Sequence, residues 1–130
     1  MIAMLDPRTL TVLITGATAG FGAALCRRFA EAGSRVIATG RRAERLDALG
    51  RELGDRCHVA VLDVRNRKAV EALVAGLPGA FAGINVAVAN AGLALGLEPA
   101  QKADLDDWDD MVATNINGLL YTVRAVLPGM

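Results

Sequence analysis

The stretch VLITGATAGFG, Val12 to Gly22, sets three glycines at the spacing Gly-x-x-x-Gly-x-Gly directly behind a short apolar run. Leu10 to Thr15 is apolar and β-branched and ends at a glycine. It gives way to Phe21, Ala24, Leu25 and Phe29, which recur at helical spacing up to Gly33. The reading is strand, turn, helix. A turn in that place puts free backbone N–H groups at the positive end of a helix dipole, and glycines let an anion approach without a clashing Cβ. A pyrophosphate fits that description. The spacing excludes a Walker A loop, which needs a Gly-Lys pair where Phe21 stands. It also departs from Gly-x-Gly-x-x-Gly, whose third glycine is replaced by Leu25. Taken alone, the glycines could instead mark a tight turn with close helix–strand packing, a reading that the flanking strand and helix weaken.

Working outward, the same pattern repeats. Arg35 to Thr39 is the next short apolar run, followed by a helix carrying Leu46, Leu49 and Leu53 on one face. His58 to Leu62 reads as a third strand, with Val70, Leu73, Val74 and Leu77 on the helix after it, and Ile84 to Ala89 reads as a fourth. Strands apolar on both sides, alternating with helices, imply a Rossmann-like, doubly wound α/β fold: a parallel sheet with right-handed crossovers and helices on both faces. No linker, tandem repeat or low-complexity segment interrupts it, so residues 1–130 read as a single domain. After Gly92 a loop through Gly96 and Pro99 leads to Asp104, a credible N-cap, and to acids at 106, 107, 109 and 110 that suit a helix N-terminus. Trp108, Met111, Val112, Ile116, Leu119, Leu120, Val123 and Leu127 then make an apolar stripe wider than one sheet face requires, so a further surface is expected to pack there.

The composition narrows the partners. At 130 residues, 53% of them hydrophobic, the chain can bury a core, and its fourteen basic and fourteen acidic residues balance. That balance removes the electrostatic case for nucleic acid or an anionic membrane, so any anion must be caught locally. Cys26 and Cys57 lack a Cys-x-x-Cys spacing and His58 has no ligand companion at a useful interval, so no metal site is expected and the thiols read as reduced and buried. No apolar run approaches the roughly 18 residues of a membrane span and the start lacks a signal-peptide pattern, which leads to the expectation of a cytoplasmic protein.

The end of the second strand decides which anion. A dinucleotide fold that uses NAD places an acidic residue about 20 residues after the glycine loop, against the ribose 2′-hydroxyl. Here Gly40 stands there, followed by Arg41 and Arg42. Two arginines at a helix start oppose its dipole, and an anion between them removes the conflict. A 2′-phosphate meets the guanidinium fork with charge-assisted hydrogen bonds, which argues for NADP over NAD. A solvated pair balanced by Glu44 is the second reading.

Thr15-Gly16-Ala17-Thr18-Ala19-Gly20-Phe21-Gly22, Asp63-Val64 after the third strand, Asn90-Ala91-Gly92 after the fourth and Thr114-Asn115 in the last helix together resemble the short-chain dehydrogenase/reductase family. More narrowly, VIATGRRAERL, LDVRNR, NAGLALGLEPA and TVRAVLPGM are similar to the bacterial NADP-dependent 3-hydroxy acid dehydrogenases that oxidise serine and allo-threonine. The likeness covers nearly all of this chain but only the first half of such an enzyme. It implies that Gly16, Ala17, Thr18, Ala19, Gly20 and Phe21, with Gly22 behind them, hold the pyrophosphate and neighbouring ribose, and that Arg41 and Arg42 take the 2′-phosphate. It further implies that Asp63 accepts from the adenine amine, that Val64 lies against the ring, and that Asn90, with Ala91 and Gly92, lies by the cofactor ribose and fixes the fourth strand. Ala89 stands where the family usually shows a second asparagine. Asn115 falls on the apolar stripe, where a buried amide needs partners. The resemblance makes it the catalytic asparagine, which breaks the helix ladder locally and holds a water in a proton relay.

The same resemblance implies a catalytic tyrosine with a lysine four residues later, and a serine. The only tyrosine, Tyr121, is followed four residues later by Ala125; the lysines are Lys68 and Lys102; the only serine is Ser34, in the turn entering the second strand. Ser34 and His58 lie at the wrong edge of the sheet, since ligands of open parallel sheets bind beyond the carboxyl ends of the strands. Losing a general acid–base costs about 10²–10⁴ in rate, so residues 1–130 alone are expected to be inactive as a dehydrogenase. A sheet ordered 3-2-1-4 also leaves the fourth strand as an open edge, so self-association or marginal stability is expected. The complete enzyme, by resemblance, is a tetramer that uses the last helix as an interface and acts on a small hydroxy acid. A non-catalytic NADP(H)-binding module is the competing reading. A methyltransferase is disfavoured, because Gly40 offers no carboxylate to ribose hydroxyls and the arginines would lack a phosphate.

Overall fold

A computed structural model of the chain describes residues 4–130. Four parallel strands, β1 (Thr11–Ile14), β2 (Arg35–Gly40), β3 (Cys57–Val61) and β4 (Val86–Val88), form one sheet in the order β3-β2-β1-β4. Helices α1 (Gly20–Glu31), α2 (Ala43–Leu53) and α3 (Arg67–Ala75) make the crossovers, and α4 (Leu105–Val112) and α5 (Gly118–Val126) follow β4. The chain has the parallel, doubly wound sheet that its alternating pattern predicts, in the expected order 3-2-1-4.

The period of two along each strand divides the core between the two faces of the sheet. Val12 and Ile14 of β1, with Val36 and Ala38 of β2, pack with Cys26, Leu46 and Leu49 of α1 and α2. The intervening Leu13 and Ile37 turn the other way and pack with Phe81, Ile84 and Val126. The central strands are buried except for Arg35 at the start of β2, whereas β3 and β4, the two edges, are mostly half-buried.

β4 is shorter than the apolar run predicts. At its start Asn85 Oδ1 accepts from the Thr11 backbone N–H at 2.6 Å, while the Asn85 N–H donates to the Thr11 carbonyl, so a side chain stands in for one rung of the ladder. At its end the Asn90 N–H turns back to the Val88 carbonyl. The last helix is also not continuous: Ala113–Asn117 takes π-helical pairing between α4 and α5, as the resemblance implies for the segment around Asn115. The residues predicted to lie at the wrong edge do so. Ser34 is buried with its Oγ donating to the Pro7 carbonyl at 2.7 Å, and the His58 ring packs on Phe81 with centroids 5.6 Å apart.

Candidate functional site

The carboxyl ends of the strands open into a cleft of about 730 Å³. Its walls come from the glycine loop (Gly16, Thr18, Ala19, Gly20), the end of β2 (Gly40, Arg41, Arg42), the end of β3 (Asp63, Val64) and the turn after β4 (Asn90, Ala91, Gly92). Residues predicted from four separate stretches therefore share one wall. Leu62 and Leu93 line it as well, and sequence reasoning missed them as site residues; so does Thr114, which it named as part of the Thr114-Asn115 pair without a role in the cleft.

The glycine loop is held open by geometry. Gly16 and Gly20 have φ of 65° and 54°, the left-handed region that a side chain disfavours. Gly22 is required by space, since a Cβ there would overlap the Gly16 carbonyl oxygen and lie 2.7 Å from Asn90 Nδ2. α1 begins at Ala19, whose side chain caps nothing, so its first-turn N–H groups have no side-chain acceptor. Ala17 and Phe21 stand apart from the cleft wall. Ala17 is fully buried beneath the loop, and the Phe21 side chain is 84% exposed on its outside.

Asn90 ties the fourth strand to this loop: its Nδ2 donates to the Thr15 and Gly16 carbonyls at 3.1 and 3.2 Å. Thr15 Oγ1 in turn accepts from the Ala91 N–H at 3.0 Å. These bonds secure the strand end where Ala89 replaces the second asparagine.

Arg41 and Arg42 are exposed at the start of α2, and among the described residues neither forms a salt bridge, with Glu44 or with any other carboxylate. Glu44 stands in the same first turn of α2 without contacting either guanidinium. Arg42 instead donates through Nε and Nη2 to Thr18 Oγ1, at 3.1 and 2.9 Å, which bridges the second strand to the glycine loop.

At the third strand end, Arg65 grips Asp63 through Nε and Nη2, the latter at 2.7 Å from Oδ2, while its Nη1 reaches Asp110 of α4 at 3.0 Å. The Arg65 side-chain hydrogen bonds, with a lesser contribution from the Arg41 charge, hold the Asp63 carboxyl below the usual carboxylate range. Arg65 was legible only as part of the LDVRNR run, and the acids of α4 only as helix-terminal charges. Val64 is held in place from behind: α5 approaches so closely that a Cβ on Gly118 would lie 2.5 Å from Val64 Cγ2.

Asn115 departs from the burial its position on the stripe suggests. It is exposed, and the π-helical turn aims its amide at the loop after Gly92, where Oδ1 accepts from the Leu93 N–H at 2.9 Å and Nδ2 donates to the Leu93 carbonyl at 2.8 Å. The amide is satisfied by backbone, and the loop beside the cleft is fixed by it. Next to it, the buried Thr114 hydroxyl has no hydrogen-bond partner among the described residues, so one polar atom of the wall is left over.

One cleft therefore gathers the uncapped start of α1, two arginines without a salt bridge among the described residues, and a glycine at the end of β2. A model of the short chain dehydrogenase family matches residues 10–130. The chain belongs to that family. It is 58% identical over 121 residues to an NADP-dependent 3-hydroxy acid dehydrogenase of Escherichia coli, an alignment covering 93% of this chain and 49% of that protein. It is 56% identical over 119 residues to sulfoacetaldehyde reductase 2 of Chromohalobacter salexigens, covering 90% and 47%. Among solved structures, the closed form of a serine dehydrogenase complexed with NADP+ superposes with a TM-score of 0.90 at 59% identity, covering 92% of this chain and 48% of that one. The chain thus spans about half the length of the curated relatives it matches. Among the described residues no helix is long and apolar enough to cross a membrane, and no group of metal-binding side chains is assembled.

Proposed function

We propose that the chain binds NADP(H) in this cleft and forms the cofactor half of an NADP-dependent oxidoreductase acting on a small hydroxy acid such as serine or another 3-hydroxy acid. The observation that carries it is the exposed Arg41–Arg42 pair beside Gly40, so that the end of β2 offers guanidinium groups to the cleft and no carboxylate. The uncapped start of α1 receives the pyrophosphate, Asp63 and Val64 receive the adenine, and Asn90 with Ala91 and Gly92 borders the ribose. Bound NADP supplies the hydride acceptor of the reaction. Asn115 is assigned to the proton relay of the whole enzyme, in which the tyrosine, lysine and serine of the family pattern are to be supplied from outside residues 1–130. The exposed stripe of Trp108, Val112, Ile116, Leu119, Leu120, Val123 and Leu127 suits burial against another copy in a homotetramer. Cytoplasmic residence accords with the unpaired thiols of Cys26 and Cys57.

The test is a fluorescence titration of NADPH against NADH. NADPH binds more tightly, and Arg41→Ala weakens NADPH by about tenfold while leaving NADH unchanged, since a charged hydrogen-bond pair is lost only with the 2′-phosphate. Equal affinities for the two nucleotides, or an indifferent variant, would overturn the reading.

A further inference from the structure

Thr18 does two things at once. Its Oγ1 accepts from Arg42 Nε and Nη2 at 3.1 and 2.9 Å, and its methyl group occupies the space a side chain at position 40 would need. A Cβ built on Gly40 lies 2.5 Å from Thr18 Cγ2 and 3.6 Å from its Cβ and Oγ1. The Gly40 backbone is not in the left-handed region, so conformation does not demand glycine there; the Thr18 methyl does. Methyl and hydroxyl ride on one Cβ. Turning the side chain to clear room at position 40 swings the hydroxyl through about 120°, off the guanidinium, and a β-branched residue has few other rotamers to use.

We infer that Thr18 is the positioning residue that sets nucleotide preference, aligning Arg42 with the 2′-phosphate and keeping position 40 clear of the carboxylate that would hold a ribose 2′-hydroxyl. The inference rests on the NADP reading above. An acid at position 40 and an aligned Arg42 are mutually exclusive while Thr18 is present, so cofactor preference is a property of the Thr18, Gly40 and Arg42 triangle rather than of the arginines alone. A single substitution at position 40 does not convert the site to NADH.

The test uses NADPH and NADH titrations on the full chain, with circular dichroism to establish that each variant is folded. Thr18→Val keeps the shape and the methyl but removes the acceptor, and lowers NADPH affinity about fivefold more than it lowers NADH affinity. Thr18→Ser, which retains the acceptor, returns the NADPH to NADH ratio toward the parent value. Gly40→Asp alone loses NADPH and gains little for NADH, whereas Gly40→Asp combined with Thr18→Ala binds NADH about tenfold more tightly than Gly40→Asp alone. An unchanged ratio in Thr18→Val, or equal NADH affinity of the single and double variants, would overturn the inference while leaving the NADP reading intact. A folded parent that does not prefer NADPH would overturn both.

Discussion

α5 continues directly from the π-helical turn, and the other four α-helices begin in two different ways. α3 and α4 are closed by side chains: Asn66 Oδ1 accepts from the Ala69 N–H at 3.0 Å, and Asp104 Oδ1 accepts from the Asp106 N–H at 2.9 Å. α1 and α2 begin at Ala19 and Arg42, which supply no capping oxygen. A good cap contributes about 0.5–2 kcal/mol, so two starts forgo a stabilisation that the other two take. The two that forgo it are the two whose first residues line the cleft. An uncapped helix start is thus a signature of a place kept for an external acceptor, here a phosphate oxygen.

That contrast can be broken outright at Gly22. Gly22→Ala drives a Cβ into the Gly16 carbonyl, and both backbone segments must part; a loss of about 2–4 kcal/mol in urea unfolding is expected, together with loss of NADPH binding. Ala19→Asp converts the first kind of start into the second. Ala19 already has the extended backbone of a cap, with φ −162° and ψ 169°, so a carboxylate there should raise stability by about 1 kcal/mol. It should also weaken NADPH by about tenfold, because the same N–H groups cannot serve two anions. A variant that gains stability and keeps its affinity would show that the amides are not the phosphate site. Asn66→Ala makes the converse change at α3: about 1 kcal/mol less stable by thermal or urea melting, with cofactor titrations unaltered.

The smallest effect concerns charge rather than caps. Asp63 titrates below an ordinary aspartate because Arg65 favours its ionised form, so the pair contributes stability above the ordinary carboxylate range that is lost as pH falls through the lowered value. Arg65→Ala should bring the Asp63 titration, followed by carboxyl carbon NMR, up toward the ordinary carboxylate range and shrink that acid-dependent part of the stability. No change in the Asp63 titration would mean the ion pair is not maintained in solution.

What the sequence makes legible follows from the range of each signal. The strands and the parallel sheet were readable because short apolar runs alternate with helical patterns, whereas the division of Val12, Ile14, Val36 and Ala38 from Leu13 and Ile37 between two faces has no trace in a run that is apolar throughout. The cleft residues were readable for a similar reason, since each stands at a strand end marked by glycine or by a change of polarity. The ends of β4 were not, because Asn85 replaces a backbone rung through its side chain, which no periodicity records. The π-helical turn at Ala113–Asn117 hides inside an apolar stripe that tolerates a shift of one residue, and only the family likeness pointed to it. Links between distant positions, Arg65 to Asp110 and Arg42 to Thr18, have no local trace. Asn115 shows the mixed case: its need for partners was readable, while the partner, the backbone of Leu93, was set by the tertiary fold.

The two thiols, both expected to be buried, differ in setting: Cys26 is buried in the core and can serve as a clock, whereas Cys57 is only half-buried at the edge strand. Burial pushes Cys26 up to about 12 and Cys57 up to about 11, so at neutral pH almost none of either is thiolate, the form that attacks an alkylating reagent. At the buried Cys26, iodoacetamide is therefore consumed chiefly during the brief openings that expose the thiol to water, whereas the half-buried Cys57 is reached without them. The rate of uptake at Cys26, read by mass, counts how often the sheet and the α1–α2 layer come apart, and whether a bound nucleotide holds them together.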